Sequence, residues 1–328
     1  MKKVDVIVVA RNEENAIGAT LKSINSQTIG SGVSLRVQVI VNGCTDRTPE
    51  VARDVIAELE KRSDINFELQ VRIEGGKSKS LNYALGRGTA PIVFCTDSDV
   101  TFSPDCFKRV LKMFDNPKIR LSGAEPTAVV DEALDGTLLG DLYRVRRVKW
   151  ALMGGQIKPR GRMLAFRRSD IDSYPMDFVG AEDTWVVYEI ALMHGWEAVK
   201  IAPEAFVYAK PPQDWLDLIQ QESRWQLNYL RLMRYFPHMA QVDAQLTKIT
   251  LEKLALLIER QDAIRDRLVK AGIAFEALAM DDALQRITRD NAALMGSKLA
   301  REDGTWQPIA STKSLSQAEP VGRKVRPK

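Results

Sequence analysis

Histidine and cysteine are scarce, with two and three residues respectively in a chain of 328. His194 and His238 are too few for a multi-histidine metal site, and they leave little room for a serine–histidine triad. Cys44, Cys95 and Cys106 show no C-x-x-C spacing and an odd count, which removes a disulfide framework or a zinc site and fits a reducing compartment. No apolar run approaches the roughly 18 residues that a membrane-spanning helix needs. The first ten residues read as a strand behind two lysines and not as a signal peptide, so the expectation is a cytoplasmic protein, at most peripheral at the inner face of a membrane. The net charge of +4 is too modest to point to nucleic acid. Two phosphate-binding signatures are also missing. No G-x-G-x-x-G follows the first strand, and Gly75-Gly76-Lys77-Ser78 lacks the spaced upstream glycine of a Walker A loop. Chemistry must therefore rest on carboxylates, basic groups and a metal they could hold.

What is present begins with Val4 to Ala10, a strand apolar enough to be central in a parallel sheet. Arg11-Asn12-Glu13-Glu14 ends it, and a helical period follows (Ile17, Leu21, Ile24). Leu35 to Val41, the turn Asn42-Gly43-Cys44-Thr45-Asp46 and a helix opened by Thr48-Pro49 form a second unit. Phe67 to Ile73, then Gly75-Gly76-Lys77 and a helix with Leu81 and Leu85, form a third. Pro91 to Thr96 begins a fourth. Such alternation predicts an α/β fold with a mostly parallel sheet and right-handed crossovers, its polar turns converging at the carboxyl ends of the strands.

The fourth strand ends in Asp97-Ser98-Asp99. On an extended chain residues i and i+2 point the same way, and two carboxylates ~4–6 Å apart repel unless a cation or proton lies between them. A divalent metal holding a phosphate is one reading. A solvated turn, leading into a helix with Ser103 as N-cap and Pro104 at its first position, is the other. Residues 142–169 hold nine Lys or Arg and no acid, either a solvated helix face or a surface that meets phosphates, a lipid head group or an anionic acceptor. Glu182 and Asp183 open a helix expected to reach His194, where acids also suit the helix dipole. Strands are expected near 197–201 and 205–209. In the helix from Trp215, Gln221, Arg224 and Trp225 share a face at i, i+3 and i+4, a set suited to a sugar and a diphosphate. Leu227 and Leu230 are expected to supply core contact on another side. The boundaries read as 1–238 for the main domain, 239–300 for a helical hairpin turning at Ala271-Gly272, and 301–328 for a disordered tail.

Together these motifs resemble glycosyltransferase family 2, whose members have the GT-A nucleotide-sugar-binding (Rossmann-like) fold, over about residues 4–230. The segment Val6 to Glu14 is similar to the family's first nucleotide-binding turn, and Asn42 to Asp46 stands where its D-G-S-x-D turn falls. Gly75-Gly76-Lys77 with Leu81-Asn82 resembles G-G-K-x-x-x-L-N, Asp97-Ser98-Asp99 the D-x-D, and Ala165-Phe166-Arg167-Arg168 the hydrophobic-Arg-Arg segment. Glu182-Asp183 resembles the E-D pair, and Gln221 to Trp225 is a complete Q-x-x-R-W.

The resemblance implies inverting, metal-dependent transfer of a sugar from a nucleotide sugar, expected to be UDP-linked, to an acceptor hydroxyl, giving a β-glycoside in polysaccharide or glycoconjugate synthesis. Asp183 would be the base, with Glu182 as second choice. Ala10, Asn12, Glu14, Asn42, Lys77, Asn82, Asp97 and Arg224 would bind the donor. Asp97 and Asp99 would hold Mg2+ or Mn2+, and Gln221 and Trp225 would meet a sugar, glycan or lipid-linked acceptor. Asn42 departs from the acid that usually reads uracil, although an amide still carries a donor and an acceptor. The Q-x-x-R-W motif is most familiar from membrane-embedded cellulose, chitin and hyaluronan synthases, and without their helices long processive export is not expected. The alternatives are a non-catalytic sugar-nucleotide module and a pyrophosphorylase-like enzyme. The C-terminal helices could also join two copies of the chain.

Overall fold

The computed structural model describes residues 2–59, 61–152, 158–176, 180–259, 261–273 and 276–298. The expected tail, 301–328, lies outside them.

The four units form as their periodicity dictates: β1 (Lys2–Ala10), α1 (Ile17–Asn25), β2 (Val33–Asn42), α2 (Thr48–Glu58), β3 (Ile65–Arg72), α3 (Lys77–Arg87) and β4 (Ile92–Asp97). After them come β5 (Val100–Phe102), α4 (Cys106–Met113), β6 (Leu121–Ala128), α5 (Leu138–Leu152) and β7 (Met163–Arg167). The chain continues through α6 (Glu182–His194), β8 (Val199–Ala209) and α7 (Trp215–Tyr235), then α8 (Ala240–Glu259), α9 (Gln261–Lys270) and α10 (Glu276–Lys298).

One sheet carries all eight described strands in the order β3-β2-β1-β4-β7-β6-β8-β5. β1, β2, β3 and β4 are parallel; β7 is antiparallel to β4 and β6, and β5 to β8. Strand alternation divides the core into two layers. Val4, Val6 and Val8 of β1 pack with Ile17, Leu21, Ala52 and Phe107, from α1, α2 and α4, on one face. Ile7 packs with Leu81, Leu85, Val186 and Tyr188, from α3 and α6, on the other. Helices on both faces force the nearly continuous apolar runs of β1 and β2, which is why they were legible as central strands.

Four local expectations change. The strands anticipated near 197–201 and 205–209 are one, β8, broken by a bulge: Gly123 pairs with Ile201 but Glu125 with Phe206, and Glu204 takes φ 57°. Ser103 does not cap α4. Its Oγ accepts from Phe206 N at 3.2 Å instead, and α4 begins at Cys106 without a side-chain cap. The C-terminal region is three helices, with Gly272 at φ 64° turning the chain between α9 and α10. Leu230 is 46% exposed, whereas Leu227 is buried as expected. α10 lies against α5 and α7, and its Asp281, 2% exposed, is paired with Arg146 at 2.7 Å and Lys149 at 2.9 Å.

Candidate active site

The carboxyl ends of β1, β2, β3 and β4 meet at one crevice, and short polar side chains stitch their turns together. Asn12, itself at φ 54°, accepts from Thr45 N through Oδ1 at 2.9 Å and donates to Thr45 Oγ1 at 3.2 Å. Glu14 accepts from Arg47 N at 3.0 Å, and its own amide donates to Asp46 Oδ2. Gly43, at φ 55°, lies so close to Gly75 that a β-carbon on it would fall 3.1 Å from that backbone. Ala10, buried at the end of β1, completes the rim. Asn12 and Glu14 thus brace the first two turns against each other.

Two of the anticipated donor residues are engaged elsewhere. Asn42 is 2% exposed, and its Nδ2 donates to Gly76 O at 3.0 Å and to Ser80 Oγ. It holds down the start of α3, so its amide donor is not presented to a base edge. Asn82 donates to Tyr174 O at 2.8 Å and accepts from Tyr174 N at 2.6 Å, clamping the loop after β7. The Arg167-Arg168 pair lies across the sheet from the crevice: in the antiparallel β4–β7 register Arg167 is opposite Ile92, whereas Met163 is opposite Thr96. Arg168 pairs with the buried Asp5 at 2.7 Å, and Arg167 donates to the carbonyls of Phe114, Asn116 and Ile119. Both arginines are structural.

At the centre, Lys77 Nζ donates to Asp97 Oδ1 at 2.8 Å. Burial opposes the Lys77 ammonium, but Asp97, Glu182 and Asp183 outweigh it and hold its pKa above the ordinary lysine value. The Asp99 pKa is raised too, which for a carboxyl disfavours the charged form: burial, then the neighbouring Asp97 charge, push it above the usual carboxylate range. Two crowded carboxylates of this kind fit a divalent cation, which would relieve that repulsion. Among the described residues no group of three or more His, Cys, Asp or Glu could hold a metal alone, so further ligands would have to come from diphosphate oxygens and water, the usual habit of Mg2+. Arg224 is half-buried; burial lowers its pKa, and Asp97 and Asp99 act against that shift, so α7 does bring its guanidinium near the acids.

Lys77, Asp97, Gly161, Tyr174, Glu182 and Asp183 line one cavity. The two acids of α6 differ. Glu182 is 6% exposed and accepts from Gly180 N at 3.3 Å and Ser78 Oγ at 3.5 Å. Asp183 has no hydrogen-bond or ion-pair partner among the described residues. It lies against Gly161, where a β-carbon would fall 2.4 Å from its Oδ2. Gly161 was missed by sequence reasoning, and a glycine between two arginines just ahead of a strand was the signal available. On α7 the shared face runs from interior to surface, with Gln221 7% and Trp225 42% exposed. Trp225 is therefore not a core residue. Between them Glu222 pairs with Arg146.

Carboxylates and cations gathered at the carboxyl ends of a mostly parallel, two-sided sheet define a ligand crevice of the GT-A type. The chain belongs to glycosyltransferase-like family 2, whose model matches residues 2–228. Among solved structures it is similar to the mannosyltransferase PcManGT from Pyrobaculum calidifontis, in complex with GDP-Man and Mn2+. That match has TM-score 0.61 and 21% identity, covering 91% of this chain and 88% of the other. Looser likenesses, which add nothing to the fold, are S. aureus TarS 1-349 with UDP-GlcNAc (TM-score 0.48, 16% identity, 92% and 95% covered) and glucosyl-3-phosphoglycerate synthase from Mycobacterium tuberculosis (0.46, 18%, 71% and 79%). Comparison with curated proteins finds no match. Among the described residues no helix is long and apolar enough to cross a membrane.

Proposed function

We propose that this protein is an inverting glycosyltransferase that moves a sugar from a nucleoside-diphosphate sugar to an acceptor hydroxyl. The observation that carries the reading is the contrast between the two acids of α6: Asp183 has no partner among the described residues in the cavity shared with Lys77 and Asp97, whereas Glu182 is buried and hydrogen-bonded. A carboxylate left without a partner beside a lysine for the diphosphate and an acid for the metal is what a general base for an incoming hydroxyl requires.

In the reaction the acceptor oxygen bonds to the anomeric carbon as the bond from that carbon to the diphosphate breaks. The electron pair leaves on the diphosphate, and the acceptor proton passes to a carboxylate oxygen of Asp183. Attack from the face opposite the leaving group inverts the centre, so an α-linked donor gives a β-glycoside. Lys77 and Arg224 stabilise the charge growing on the departing diphosphate. Asp97 and Asp99 would hold Mg2+ or Mn2+, which when bound neutralises the same charge. Trp225, exposed at the end of the Gln221–Arg224 face, offers an indole for the apolar side of an acceptor sugar.

Thermal shift with UDP-, GDP- and dTDP-sugars, each with Mn2+ and with EDTA, identifies the donor. Transfer is then measured for the wild type and Asp183→Asn. A loss of transfer with donor affinity kept within a few-fold supports the assignment. Collapse of donor binding in Asp183→Asn makes it a binding or structural residue instead. A sugar-nucleotide-binding module without activity would show the thermal shift and no donor turnover under any condition.

A further inference from the structure

The basic stretch between Arg144 and Arg168, apart from the exposed Arg147, divides into two groups. Arg144 pairs with Asp135 and Asp141, Arg146 with Glu222 and Asp281, Lys149 with Asp281, and Arg168 with Asp5, while Arg167 is spent on backbone carbonyls. That charge belongs to the fold. Lys158, Arg160 and Arg162 behave differently, for among the described residues none has an ion-pair partner. Lys158 Nζ sits 4.8 Å over the Tyr188 ring and the Arg160 guanidinium 5.6 Å over the Trp150 ring.

These three cations lie within five residues, and two of them flank Gly161, the residue against Asp183. The segment is fixed at its end, where Arg162 O accepts from Asp97 N at 3.2 Å and Thr96 Oγ1 at 2.8 Å. Lys158 and Arg160 are additional to the cations that serve the diphosphate, whereas Arg162 also acts on Asp99. Arg224 feels the charges of Asp97 and Asp99, whereas Lys158 feels Asp183 and Asp243, and Arg160 feels Glu222 and Asp183. Burial pushes the Lys158 ammonium down to about 8, against the pull of Asp183, and the adjacent Arg160 pushes the same way. Cations set side by side with no ion-pair partner among the described residues repel one another, and a bound anion with several acceptor oxygens would offset that cost.

We propose that the acceptor carries a phosphate, held by Lys158, Arg160 and Arg162 so that its hydroxyl reaches Asp183. This rests on Asp183 being the base of a sugar transfer. Three cations suit a dianion, and guanidinium forks match phosphate oxygens better than a single carboxylate would. The phosphate stays bonded to the acceptor throughout; only the hydroxyl proton and the anomeric bond change. A soluble sugar or polyol phosphate and a phospholipid head group share this chemistry.

The test uses the full chain with Mn2+ and the donor identified by turnover. Acceptors are offered in pairs, glycerol against glycerol 3-phosphate and glucose against glucose 6-phosphate, with phosphatidylglycerol vesicles as a third arm. Glycerol 3-phosphate is also titrated calorimetrically into the chain with Mn2+ and the donor's nucleoside diphosphate. The expected result is a KM at least about ten-fold lower for the phosphorylated member, the scale of one charge-assisted contact. Arg160→Ala and Lys158→Ala each raise that KM about ten-fold and abolish the calorimetric signal, with donor KM within two-fold. Arg160 is exposed, so its variant carries the test should Lys158→Ala fail to fold. Preference for vesicles over glycerol 3-phosphate places the phosphate on a lipid, and the reverse places it on a soluble acceptor; either supports the proposal. Equal use of neutral and phosphorylated acceptors, unchanged in both variants, overturns it while leaving the transferase reading intact. Absence of donor turnover with every acceptor overturns both.

Discussion

Replacing Gly161 by alanine adds one methyl group and tests how Asp183 is held. The new β-carbon would lie 2.4 Å from Asp183 Oδ2 and 2.6 Å from its Cβ and Cγ, where ordinary contact is 3.4–4 Å. A rotamer change could move Oδ2 but not Cβ, so the first turn of α6 and the approach to β7 must separate by roughly 1 Å. A displacement of that size at a reacting group costs about 10²-fold in rate. The structural cost is that of inserting a methylene into a packed site, about 1–3 kcal/mol. Gly161→Ala should therefore lose about 100-fold in transfer kcat, melt a few degrees lower and keep its donor KM within two-fold. The assay pairs initial rates of product formation with differential scanning fluorimetry on the same preparation. Wild-type kcat in a variant whose Tm has dropped would refute the reasoning, because the clash would then be relieved without moving a group that matters.

Asp99→Asn should bring transfer to background while metal-free Tm holds or rises, since it removes one of two crowded carboxylates; Mn2+ should raise the Tm of the wild type and not of this variant. Trp225→Ala should change stability by less than about 1 kcal/mol, given its 42% exposure, and lose transfer while keeping donor hydrolysis; a large drop in Tm would restore a core role. Asp281→Ala should cost about 3–5 kcal/mol, because it removes the buried acid shared by Arg146 and Lys149 and leaves them only Glu222 and the exposed Asp282 at 3.9 Å. The same pair sets an acid limit. Burial would raise the Asp281 carboxyl, but Arg146 and Lys149 bring it below the ordinary aspartate value. Its stabilisation is thus complete above that pH and is lost as pH falls through the lower folded value, so acid unfolding should steepen below about pH 4 in the wild type and not in Asp281→Ala.

The sequence by itself determined the α/β layout and the most local part of the site. The nearly continuous apolar runs of β1, β2 and β4 are dictated by helices on both faces. Asp97 and Asp99 were legible as one spot because two residues along an extended chain share a side, and Gln221, Arg224 and Trp225 because a helix repeats every 3.6 residues. β6 was missed because Gly123 and Pro126 break its pattern, and β5 because its three residues read as part of a turn. Only the tertiary structure decided which polar groups are free. Arg146 finds Asp281 across 135 residues and Arg168 finds Asp5 across 163, whereas Lys158, Arg160 and Arg162 in the same stretch find no acid among the described residues. It also engaged Asn42 and Asn82 in bracing loops, left Asp183 open against Gly161 and turned Trp225 outward. Periodicity reports which face of an element is buried. The pairing of charges depends on what the rest of the fold places opposite them, and that has no period along the chain.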